Sequence, residues 1–185
     1  YRIISFSCEG CGLCSHICPN EAIHMKENIA GEWFVSETRF GSFIHAKLGI
    51  AEENSGKLVA KVRQVAKEMA DKTGASYVII DGPPGTGCPV LASLSGVDCV
   101  LLVTEPTLSG LHDAQRVMEL ASHFQISVKM VVNKYDLNPE ISFQIENFCQ
   151  DKRVEVIGRI PFDKSVVEAM VAGKTIPEYL NGPVK

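Results

Sequence analysis

The chain has 185 residues, 45% hydrophobic and 22% charged, with a formal net charge of −4. That is material for one core of ordinary domain size and a small appendage. The acidic balance excludes the basic face that wholesale nucleic-acid or membrane-surface binding needs, and no stretch reaches the roughly 18 consecutive apolar residues of a membrane helix. The N-terminus, YRIISFSC, has no basic leader followed by an apolar core. It carries no initiator Met and opens into strand-like YRIISF, so we expect part of a longer protein. Seven cysteines alone could mean a secreted disulfide scaffold, but a large aliphatic core needs no staples; a reducing, cytoplasmic compartment is expected.

Residues 1–30 are cysteine-rich with little apolar periodicity. Residues 31–54 alternate apolar and polar side chains around repeated Gly, as short strands and loops do. Ser55 is placed to cap a helix whose buried face is Leu58, Val62, Val65 and Met69, ending at Gly74. YVII (77–80) has the continuous apolar pattern of a strand buried on both faces. A short helix (89–96) follows, then a second such strand, CVLLVT (99–104). Leu111, Ala114, Val117, Ala121 and Phe124 mark the next helix, VKMVVN (128–133) a third strand, and 140–150 a polar helix. VEVIGRI (154–160) is a fourth strand, and a last helix (164–172) stops at Gly173. Strand and helix alternating over short links predict an α/β fold. Its sheet is doubly wound and mostly parallel, with helices on both faces. The composition divides this domain, 31–185, from a small cysteine-rich module, 1–30.

That module reads Cys8-x2-Cys11-x2-Cys14-x3-Cys18-Pro19. Structural zinc sites use two Cys pairs split by a longer loop. Three cysteines on one tight turn and a fourth before proline are what bacterial ferredoxins wrap around a [4Fe–4S] cube. A zinc knuckle or incidental thiols are the alternatives. In two-cluster ferredoxins the fourth cysteine serves the other cluster. Either all four close on one cluster here, or the chain is truncated. Cys88, Cys99 and Cys149 read as small core hydrophobes.

The strand YVII ends in Asp81, where P-loop enzymes place the acid that holds Mg²⁺ through water; a turn Asp opening the Pro83-Pro84-Gly85 loop is the alternative. Asn133 ends the third strand in VVNKYD and can bond a purine edge. The same run fits the NKxD pattern that reads guanine, with Asp136 taking the ring N–H donors. RIPFD (159–163), with Pro161, either walls a base pocket or is an ordinary turn. No G-x4-G-K-[ST] occurs anywhere in the chain, and NSGKL (54–58) lacks the upstream glycine and strand of a phosphate loop.

The runs CEGCGLCSHICP, HAKLGIAEENSGKLV, YVIIDGPPGTGCPV, VTEPTLSGLHD, VVNKYDLN and IPFDKSVVEAMVAGK together resemble the MinD/ParA-like P-loop ATPases that carry an inserted ferredoxin domain. The resemblance covers nearly the whole chain, which starts within the second half of such an insert and lacks the family's phosphate loop. It implies Asp81 as the Mg²⁺-water acid, Asn133 as the base contact, Cys8, Cys11, Cys14 and Cys18 as cluster ligands, and Glu105 in TEPT at the nucleotide site. It further implies ATP with Mg²⁺, a homodimer when intact, and a redox or iron–sulfur client. The expected function couples nucleotide state to electron transfer or cluster handling, with ATPase activity in the intact protein and none in these 185 residues. A non-enzymatic cluster-binding module and a GTP-dependent switch are the competing readings.

Overall fold

The computed structural model describes residues 3, 8, 11–26, 31–49 and 56–181. The Ser55 cap, and YRIISF apart from Ile3, lie outside them. The chain forms two compact units, Tyr1–Ser95 and Gly96–Lys185, whereas its composition changes near residue 30.

The first unit holds a short helix α1 (Leu13–Ile17), a hairpin of β1 (Gly31–Thr38) and β2 (Gly41–Leu48), and helices α2 (Gly56–Thr73) and α3 (Cys88–Leu94). The hairpin pairs antiparallel in full register, Gly31 opposite Leu48 and Thr38 opposite Gly41. One of its faces meets α2, where Lys61 stands over the Trp33 ring. The other carries a ladder of rings: His45 stacks on Phe34 and Phe43, and Ser36 Oγ lies 3.0 Å from His45 Nε2. Helix α2 uses the predicted spacing and buries Val65. It is fastened to α3 by Arg63, whose guanidinium donates to the carbonyls of Ala92 and Ser95.

One expected element fails here. Residues 77–80 form no strand and belong to no sheet among the described residues, and Tyr77 and Ile79 are 86% and 94% exposed. An apolar run reports a capacity for burial; a strand also needs a neighbouring edge to accept its backbone hydrogen bonds.

The second unit alternates β3 (Cys99–Thr104), α4 (Leu108–His123), β4 (Ser127–Asn133), α5 (Pro139–Asp151) and β5 (Glu155–Ile160). Helices α6 (Lys164–Val171) and α7 (Ile176–Asn181) follow. The strands are parallel, in the order β3-β4-β5, with a bulge between Met130 and Val131. This is the expected α/β class, with three strands in the parallel sheet among the described residues. Ala114 and Met118 of α4, and Ile141, Ile145 and Cys149 of α5, close on Met130 and Val132 of β4. Met130, Val132 and Ile145 are fully buried, and each large side chain so placed stabilises the fold by about 1.5–3 kcal/mol. Alternation puts Leu101 and Val103 on the other face, about half exposed.

Caps fix the helix starts. Thr107 accepts from the Gly110 N–H, Asn138 from Ile141 and Asp163 from Ser165; that last N–H holds the Asp163 carboxyl below its ordinary range. Thr175 and Glu178 cap α7 reciprocally. Four helices end on a left-handed residue. For α2 and α6 it is Gly74 and Gly173; for α4 and α5 it is Gln125 (φ 58°) and Arg153 (φ 57°). The residue after each sends its N–H back to the last turn, Ile126 to Ala121 and Val154 to Cys149. A side chain in that conformation costs about 1 kcal/mol.

Candidate functional site

Parallel strands put all their C-terminal tips on one edge, where α/β sheets bind ligands. In the second unit those tips are Thr104, Asn133 and Ile160. Buried Thr104 donates through Oγ1 to the Gly110 carbonyl, and Glu105 follows it. Gly110 is required for contact: a Cβ there would stand 2.5 Å from the Glu105 carbonyl oxygen and 2.9 Å from Thr104 Oγ1. At the next tip Lys134 takes a left-handed turn (φ 54°) and its Nζ reaches Glu105 Oε1 at 2.7 Å. Asn133 pairs in the sheet with Ile160 and so stands beside Pro161. Asp136 Oδ1 accepts the Phe162 N–H at 2.7 Å, while Ser142 Oγ donates to the Tyr135 carbonyl and pins the intervening 3-10 turn, Tyr135–Leu137.

Glu105, Asn133, Asp136 and Pro161 therefore come together on one edge, tied by two cross-links. Lys134 and Phe162 complete them. Neither partner was legible in the sequence, because both bonds join segments more than 20 residues apart. Asp81 lies in the first unit, exposed, after the unpaired 77–80 segment and ahead of Gly85 (φ 90°).

The cysteine run lies in the first unit too. Gly12, left-handed at φ 78°, leads into α1, and its carbonyl accepts the Ser15 and His16 N–H groups at 3.1 Å. Cys8 and Cys11 are exposed, Cys14 and Cys18 half-buried, and all four are free thiols. Cys18 Sγ accepts the Ala22 N–H at 3.4 Å. That bond, and the Asn20 N–H after it, hold the thiol below its ordinary range. Among the described residues no three Cys, His, Asp or Glu side chains converge as a metal site. The donor chemistry nonetheless fits an iron–sulfur group: four free thiols at the spacing of a cluster run, one already stabilised toward thiolate by backbone N–H groups. Of the other cysteines only Cys149 is buried, and burial pushes its thiol up to about 11. Cys88 and Cys99, expected in the core, are exposed because they open α3 and β3, where side chains still reach solvent.

Residues 55–182 match the ParA family described as the NUBPL iron-transfer P-loop NTPases, and residues 1–24 match the 4Fe–4S binding domain. A Methanocaldococcus jannaschii protein of uncharacterised function is 28% identical over 93% of this chain and 57% of its own length. An iron–sulfur cluster carrier protein of Pyrococcus horikoshii is 28% identical over 69% of this chain and 48% of its own. The chain spans about half the length of the curated relatives it matches. Among solved structures, the MinD cell division protein of Aquifex aeolicus shares the fold, with a TM-score of 0.57 at 21% identity, over 80% of this chain and 63% of that one. No helix among the described residues is long and apolar enough to cross a membrane. By its match over residues 55–182, the chain belongs to the NUBPL iron-transfer P-loop NTPases of the ParA family, with a 4Fe–4S binding domain ahead of that match.

Proposed function

We propose that this chain is the purine-reading and cluster-bearing portion of an ATP-binding iron–sulfur protein in which nucleotide state governs electron transfer or cluster delivery. The observation that carries the reading is the strand-tip edge held by Lys134–Glu105 and Asp136–Phe162. There Asn133 bonds the edge of a purine, Pro161 walls the base, and Glu105 lines the site. Guanine recognition by a carboxylate uses oxygens facing the ring N–H donors; Oδ1 of Asp136 is already engaged by a backbone N–H, which favours adenine over the GTP reading. Asp81 holds Mg²⁺ through water. Cys8, Cys11, Cys14 and Cys18 hold the cluster, which supplies one-electron transfer when bound. The intact protein is a cytoplasmic homodimeric ATPase with a redox or iron–sulfur client. Nucleotide contacts bias a two-state arrangement that moves the cluster module.

Three measurements test this. Anaerobic reconstitution with iron and sulfide should load about four irons per chain, with an EPR signal on reduction, both lost in Cys18→Ala. Calorimetric titration of the 185-residue chain should find weak nucleotide binding, since it carries no G-x4-G-K-[ST], with ATP ahead of GTP and the preference abolished by Asn133→Ala. GTP ahead of ATP overturns the adenine reading. Absence of iron would mean that the four cysteines do not close one cluster by themselves and that the run needs a partner segment. The non-enzymatic alternative predicts iron loading with no nucleotide response in the intact protein, whereas under our reading Asp81→Asn in that protein should remove its Mg²⁺ dependence.

A further inference from the structure

At the other end of the second unit, about 20 Å along β4 from the strand tips, a cavity of about 650 Å³ opens. It lies between the last turns of α4 and α5 and the first residues of β4 and β5. That volume is in the range of small-molecule sites. Its floor is apolar, made by Met118, Val128, Phe148 and Val154, all of which belong to the core or pack against it. Its rim carries Gln125, Lys152 and Arg153.

Gln125 and Arg153 are the two left-handed residues that close α4 and α5. Helices α2 and α6 close with the same backward hydrogen bond through Gly74 and Gly173. Glycine suits all four positions equally. The chain departs from it only where the left-handed residue lines the cavity, and both times with a long polar side chain. Strain retained in this way points to use.

The charges say what kind of use. Lys129 is paired with Glu155, so the two cancel, and Glu119 contributes one negative charge from α4. Lys152 stands 5.9 Å from the centre of the Phe148 ring, and Arg153 pairs with no carboxylate among the described residues. The rim is left with a net positive charge directly above an apolar floor. We propose that this cavity binds a small amphipathic carboxylate, its apolar body on Met118 and Phe148 and its anionic head on Arg153, with Lys152 held over the Phe148 ring. Within the second unit the site lies at the opposite end from the purine edge, and it stands whether or not that assignment does.

Octanoate and 1-octanol, titrated into the whole chain by calorimetry, separate the two halves of the site. Octanoate should bind saturably and about tenfold more tightly than octanol, one charge-assisted contact's worth. Arg153→Asn keeps a residue that tolerates the left-handed turn and should bring octanoate down to the level of octanol, leaving octanol unchanged. Arg153→Gly should lose the same tenfold while the melting temperature holds or rises, by about 2 °C; this shows that the loss is not unfolding. Equal affinity for the two probes, no saturable octanoate binding, or undiminished octanoate binding in Arg153→Asn overturns the proposal.

Discussion

Gly110→Ala tests how tightly the first strand tip is built. Gly110 sits in the first turn of α4, where alanine is intrinsically better by about 1 kcal/mol. On propensity alone the substitution should stabilise. The structure reverses the sign. The new Cβ would lie 2.5 Å from the Glu105 carbonyl and 2.9 Å from Thr104 Oγ1. Both neighbours are held, one in backbone and one in a buried side chain, so α4 must back away from the 104–107 loop. Overpacking of this kind costs about 1–3 kcal/mol. The movement also loosens the Thr107 cap and the Thr104–Gly110 bond, each 2.9 Å and each worth about 1 kcal/mol. Set against the propensity gain, the net is a loss of about 2 kcal/mol, or about 4–8 °C in melting temperature. Circular dichroism melts measure it. Hydrogen exchange should localise the damage to 104–112, and Glu105 should lose its contact with Lys134, weakening any purine binding. A variant as stable as the parent would refute the close-contact reasoning and leave only propensity.

Arg63→Met should weaken the first unit by about 2 kcal/mol, because two carbonyls at the end of α3 lose a cationic donor. Exchange of the α3 amides should then quicken about 30-fold, and unchanged exchange would show that the clasp contributes nothing. Cys149 gives a pH dependence. Its folded value of about 11 lies above the ordinary 9.0, so between those limits the unfolded chain releases a proton that the folded chain keeps. Stability should therefore fall as pH rises from 9 to 11. In Cys149→Val, urea midpoints compared across that window should lose this part of the slope, and an unaltered slope would discount the buried thiol.

Most helices and strands of the second unit were legible within one or two residues, and for a shared reason. Leu111, Ala114, Val117 and Ala121 repeat at the helical period, and VKMVVN is too apolar for an exposed strand; both signals are local. The same locality explains the failure at 77–80: the apolar run predicts a strand buried on both faces, but pairing and burial depend on a partner edge that no local pattern reports. The site divides likewise. Glu105, Asn133 and Asp136 could be placed at the strand tips because the strands that carry them were legible. The Lys134–Glu105 pair, the Phe162 N–H and the Arg63 clasp could not, since each joins segments that only folding brings together. Gln125 and Arg153 escaped for another reason: non-glycine residues in a left-handed turn break the local rule for ending a helix, and the sequence after α4 and α5 holds no glycine stop signal.

The order β3-β4-β5 follows the order of synthesis, and paired residues stand only 26 to 28 apart in sequence. Every crossover closes a short loop, and no strand has to wait for a distant one. Entropy lost in closing each loop is small and is recovered at once by the helix that packs onto the new pair. The second unit can therefore assemble vectorially, each βα step using the previous strand as its template. Its nucleus should form around β4, the one strand among the described residues with neighbours on both sides, where Met130 and Val132 are fully buried.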